Sequence, residues 1–130
     1  MTVTEKEART LAYGAAFNEG LRQIMEEDPD VFFAGEDVGK AGGVFGSFVG
    51  LNDTFGDLRA VDTPISEQAI VGLGIGAAVT GLRPVVDVMF MDFMFGAMDQ
   101  IANQAAKLKY RFGGKATLPL TITTSAGAGL

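Results

Sequence analysis

The chain has 130 residues and contains neither cysteine nor histidine. Without cysteine there is no disulfide, no thiolate nucleophile and no zinc–thiolate site. Without histidine, Ser-His-Asp hydrolysis and imidazole metal sites are excluded within this chain. Excess positive charge is also missing. Ten Lys and Arg stand against sixteen Asp and Glu, a net charge of -6, which argues against a nucleic-acid module. The apolar stretches Ile70–Val79 and Val85–Phe95 are too short or too interrupted by charge to span a bilayer. Met1–Glu7 has no apolar signal core and is too acidic for a transit peptide. These features point to the cytoplasm and leave acid–base chemistry near neutral pH to Asp and Glu, or to another chain.

Apolar residues make up 48% of the sequence, enough for a real core, and the length suits one domain. Thr4-Glu5-Lys6-Glu7 fits a capping box, and Gly14, Phe17, Leu21, Ile24 and Met25 recur at helical spacing until Asp28-Pro29 stops the helix. Val31–Ala34 reads as a short buried strand ending in Gly35-Glu36-Asp37. The glycine-rich stretch Gly39–Gly50 has neither the spacing nor the Lys-Ser/Thr ending of a nucleotide loop. Leu51–Phe55 fits a short helix and Arg59–Asp62 a second strand. A helix over Glu67–Thr80, capped by Ser66, carries Gly72, Gly74 and Gly76. Each glycine there costs roughly 1 kcal/mol against alanine, so close packing of another backbone or a ligand must compensate. Strands over Val85–Phe90 and Pro119–Thr123 flank a helix over Phe93–Phe112 that stops at Gly113-Gly114. Lys107, Lys109 and Arg111 read most simply as a solvated last helical turn, where cations complement the dipole.

This alternation predicts an α/β fold, a mostly parallel sheet with helices on both faces. The run Asp62-Thr63-Pro64-Ile65-Ser66-Glu67-Gln68 then stands out. It places the carboxylate of Glu67 at a strand-to-helix junction, the edge where ligands sit in such folds. Held among apolar neighbours, a carboxyl group there can carry a proton near neutral pH. Taken alone, Glu67 reads more simply as an acid favoured by a helix dipole.

Five segments, Gly35–Gly39, Gly42–Phe45, Asp62–Glu67, Gly81–Val86 and Ala97–Lys107, occur in register along the chain. Together they resemble the beta subunit of the thiamine diphosphate-dependent 2-oxo acid dehydrogenases, the pyruvate, branched-chain and acetoin enzymes. The resemblance implies the thiamine-type pyrimidine-binding fold over residues 1–130, the first part of a two-domain subunit roughly twice this length. It implies that an alpha-type subunit holds the diphosphate and its Mg²⁺ in a heterotetramer. A lipoyl acyltransferase would accept the acyl group, and an active-site histidine would lie beyond Leu130. By the resemblance Glu67 donates a hydrogen bond to the pyrimidine ring nitrogen and must be protonated to do so. Phe93 packs on the pyrimidine face, and Ile65 and Glu36 stand beside the pocket. Other readings stand for two of them: Phe93 as a core residue, and Glu36 either as part of a buried acidic relay or as a cap of the neighbouring helix. Leu120 matches a position whose carbonyl helps bind a monovalent cation in some relatives, but the other ligands would lie outside this chain. The sequence departs from the pattern at Thr121–Gly127 and Gly96, so the substrate is not legible. Two other readings stand beside it, a transketolase- or 1-deoxyxylulose synthase-like enzyme domain and a truncated, non-catalytic interaction module.

Overall fold

The computed structural model describes residues 9–127, so the Thr4–Glu7 capping box lies outside the described residues. Helix α1 spans Tyr13–Glu27, with Ala12 as an N-cap that makes no side-chain bond. Strand β1 (Val31–Gly35), helix α2 (Leu51–Phe55), strand β2 (Ala60–Asp62) and helix α3 (Glu67–Val79) follow. Strand β3 (Arg83–Phe90) leads into a 3₁₀ segment (Met91–Ala97), a π-helical segment (Asp99–Ala105), helix α4 (Ala106–Arg111) and strand β4 (Thr121–Ser125).

The four strands form one sheet in the order β2-β1-β3-β4, every pair parallel. All five residues of β1 are buried, as a strand covered on both faces must be. Val31 and Phe33 pack with Leu21 and Met25 of α1, Leu51 of α2 and Phe48. Phe32 and Ala34 point the other way, onto Ile70 of α3 and Val86. Helices therefore cover both faces, as the alternation predicts.

Local chemistry explains the element ends. Ser66 caps α3, its Oγ accepting from the Ala69 N–H. Gly113 and Gly114 close α4 with left-handed backbone; their N–H groups donate to the carbonyls of Tyr110 and Lys109. Arg59 does more than begin a strand. Its guanidinium donates to the carbonyls of Met25, Asp28 and Val31 at 2.6–2.8 Å, tying the end of α1 to β1. Pro84 is tolerated inside β3 because pairing with β4 starts only at Val85.

Two expectations shift. The single helix predicted over Phe93–Phe112 is three helical segments of different pitch. The last strand lies two residues later than its apolar pattern suggests. The helix is divided by a long-range contact. Met91–Ala97 packs through Ala97 and Met94 onto Val71 and Ile75 of α3, and tertiary packing outweighs the weak local preference.

The glycines of α3 divide by environment. A Cβ at Gly74 would come within 2.7 Å of Leu120 Cδ1 and 3.0 Å of Val86 Cγ1, so close packing explains this glycine. At Gly76 a Cβ would meet open space. Gly74→Ala is therefore expected to lower stability by about 1–3 kcal/mol through overpacking. Gly76→Ala should raise it by up to about 1 kcal/mol through helix propensity. Urea denaturation midpoints check both signs.

Candidate cofactor-binding edge

Because every strand is parallel, all four C-terminal ends open onto one edge of the sheet. The chain leaves β1 toward β2 on one side and returns to β3 on the other. The gap beyond β1 and β3 is thus the topological switch point where α/β folds bind ligands. Glu36 and Asp37 follow β1, Thr63–Ser66 follow β2, and the 3₁₀ segment follows β3.

Glu67 is half-buried in the first turn of α3. Its Oε2 lies 3.9 Å from where a Cβ on Gly96 would stand. The carboxyl group therefore reaches the 3₁₀ segment that carries Phe93, across a position that has no side chain. Phe93 is 44% exposed and packs edge-to-face on Phe90, centroids 5.4 Å apart. Phe90 in turn meets Phe45 of the glycine-rich loop at 5.6 Å. The three rings form a continuous aromatic ledge. Phe93 is not a core phenylalanine, and its exposed ring suits a flat heteroaromatic partner.

Glu36 caps no helix. Its carboxyl group is held above the usual range, chiefly by desolvation and then by the negative charges of Asp37 and Glu67. It shares a cavity of about 20 Å³ with Phe45, Ser47, Asp87 and Met89. A wider cleft of about 330 Å³ opens on the α1 side, between Tyr13, Phe17, Phe48, Asp87 and Thr123. Neither cleft includes Glu67, Ile65 or Phe93. Ile65 stands apart, 77% exposed. The structure thus brings Glu67, Glu36 and the Phe93 segment to one edge and leaves Ile65 on its rim. Asp99 and Lys107 behave structurally: Asn103 donates to Asp99, and Lys107 to Asn103, along an exposed helix face.

Several residues of this edge are not apparent from sequence patterns. Asp62 accepts the Gly39 N–H at 2.6 Å and so fixes the start of the glycine-rich loop. Asp87 is 7% exposed, the only buried charged residue among those described. Burial pushes its carboxyl group up, opposed by hydrogen bonds from Thr123 and Met89. One signal was available for it: a charge in the middle of the otherwise apolar strand Val85–Phe90.

The raised Glu36 value has a definite consequence for stability. The fold favours the neutral acid, so this group's contribution is fully present below its unfolded value of about 4.3 and is lost as pH rises through the folded value. Glu36→Gln should therefore gain stability relative to the parent as pH rises from about 4 to 7. Chemical denaturation across that range tests the sign.

Comparison with known proteins agrees with this geometry. Residues 9–130 match the family model for the pyrimidine binding domain of transketolase. The chain is 46% identical over 128 residues to the chloroplastic pyruvate dehydrogenase E1 component subunit beta-3 of Arabidopsis thaliana, covering 98% of this chain and 32% of that protein. It is 42% identical over 120 residues to the 2-oxoisovalerate dehydrogenase subunit beta of Bacillus subtilis, covering 92% and 37%. Against the acetoin:2,6-dichlorophenolindophenol oxidoreductase subunit beta of Cupriavidus necator it is 49% identical over 132 residues, covering 94% and 39%. The chain thus spans 32–39% of the length of these relatives. With a parallel sheet, an acid at its switch-point edge and a family match over all but its first residues, the chain belongs to the transketolase-type pyrimidine-binding family, alongside the beta subunits of 2-oxo acid and acetoin dehydrogenases.

Proposed function

We propose that this chain is the pyrimidine-binding part of a longer beta-type subunit in a thiamine diphosphate-dependent 2-oxo acid or acetoin dehydrogenase. The observation that carries the proposal is the approach of Glu67 to Gly96 in the 3₁₀ segment, the segment that also carries the exposed ring of Phe93. A hydrogen-bonding acid and an exposed aromatic face on one edge suit an aminopyrimidine.

When bound, thiamine diphosphate supplies a carbon nucleophile and an electron sink for decarboxylation. Residues of this chain would hold its pyrimidine ring. Glu67 would donate a hydrogen bond from its carboxyl group to the ring nitrogen and so set the protonation of the ring. Phe93 presents its face to the ring. Ile65 closes the rim, and Glu36 places a second acid beside Glu67. Full burial of Glu67 by a second chain would hold it protonated at working pH, because desolvation disfavours the carboxylate.

That second chain is proposed to be an alpha-type subunit in a heterotetramer, carrying the diphosphate and Mg²⁺. The exposed apolar residues Ile65, Phe93, Phe95 and Met98 at this edge support such a partner. Further proposed partners are a small 2-oxo acid or acetoin as substrate and a lipoyl acyltransferase as acyl acceptor. No helix among the described residues is long and apolar enough to cross a membrane. The proposed setting is the cytoplasm, although Arabidopsis relatives are named chloroplastic.

In the assembled enzyme, Glu67→Gln is expected to lower turnover by about 10²–10⁴-fold while gel filtration shows assembly intact. Assays across pyruvate, branched-chain 2-oxo acids, acetoin and sugar phosphates separate the dehydrogenase reading from a transketolase-like one. Retained turnover in the variant would remove the role of Glu67. The chain without an alpha-type partner is expected to bind thiamine diphosphate weakly or not at all; calorimetric detection of tight binding would contradict the divided site.

A further inference from the structure

Asp87 lies on β3 directly opposite Gly35 of β1 and Thr123 of β4, one residue before Glu36 in the β1 register. Its Oδ1 accepts from the Thr123 hydroxyl at 2.7 Å and its Oδ2 from the Met89 N–H at 3.1 Å. Met89 holds a left-handed backbone, φ 59°. For a residue with a side chain this backbone is strained and persists only where its surroundings hold it. At the same place the β3–β4 register shifts, between Asp87 and Phe90.

The consequence is directional. β3 must leave the sheet there and turn into the 3₁₀ segment, which carries Phe93 to the edge and Gly96 to Glu67. Close packing also bears on this turn: a Cβ on Gly35 would lie 3.0 Å from the Asp87 carbonyl, so β1 and β3 approach closely at the level of Asp87.

We infer that Asp87 is a positioning residue of the cofactor site, its carboxyl group holding the left-handed turn at Met89 and thereby aiming Phe93 and its segment at the pyrimidine position beside Glu67. The inference rests on the thiamine diphosphate reading above for its function, but not for its geometry.

The test uses the full-length subunit assembled with its alpha-type partner, with fluorophenylalanine placed at position 93 in one preparation and at the buried Phe33 in another. Asp87→Val removes both acceptors. It is expected to shift or broaden the ¹⁹F resonance at position 93, leave that at 33 in place, and raise the KM for thiamine diphosphate about ten- to hundredfold. Asp87→Asn keeps an acceptor for Met89, with the Thr123 hydroxyl rotated to accept from the amide, and should resemble the parent. Met89→Gly adopts the turn without help, so adding it to Asp87→Val should restore most of both readouts. If Asp87→Val does not fold, Met89→Val opposes the same turn and should move the same resonance. An unmoved resonance at position 93, or an Asp87→Asn enzyme as impaired as Asp87→Val, would overturn the inference. Retained turnover in Glu67→Gln would instead overturn the functional reading, while the resonance still judges Asp87.

Discussion

The parallel pairing of β1 with both β2 and β3 constrains everything else in this molecule. A strand buried on both faces and hydrogen-bonded on both sides cannot slip without stranding its polar backbone. With β1 held, all strands end on the same edge, and whatever follows each strand is delivered there. Glu36, Glu67 and the segment bearing Phe93 come from three separate strand exits. They converge because the sheet gives them nowhere else to emerge.

Convergence also requires room. Gly35 lets β1 and β3 approach at the level of Asp87, Gly39 makes space for the Asp62 carboxylate, and Gly96 opens the path from Glu67 to the 3₁₀ segment. Gly74 admits Val86 and Leu120 beneath α3. The high glycine content thus serves packing at specific contacts more than flexibility. The left-handed turn at Met89 shows the converse, a strained backbone at a residue with a side chain, held beside the site by a buried carboxyl group.

Electrostatics on the edge run in one direction. Desolvation raises the Glu36 carboxyl group most, and the negative charges of Asp37 and Glu67 add to it. No cation neutralises this group by a salt bridge among the described residues. Negative charge gathered at this edge disfavours a phosphate there, which supports the proposed division of labour with an alpha-type chain.

Much of this was legible in the residues themselves. The helical spacing of α1, the apolar run of β1, the Ser66 cap, the glycine stops and the short helix Leu51–Phe55 are local properties, carried by side-chain type and backbone preference over a few residues. The junction that exposes Glu67 was legible for the same reason. The three-part helix after β3, the later start of β4 and the grip of Arg59 on α1 were not, because each depends on contacts between residues far apart in the chain. Asp87 was visible only as an oddity in an apolar strand; its partners Thr123 and Met89 became evident once β4 lay beside β3. Sequence alone determined which segments would form and which acid stood at a strand-to-helix boundary, since those are short-range energies. Tertiary structure decided that this acid faces Gly96, that Phe93 stands exposed on the same segment, and that a buried carboxyl group steers the turn leading into it. Such distances are set by the packing of whole strands and helices, and no local preference encodes them.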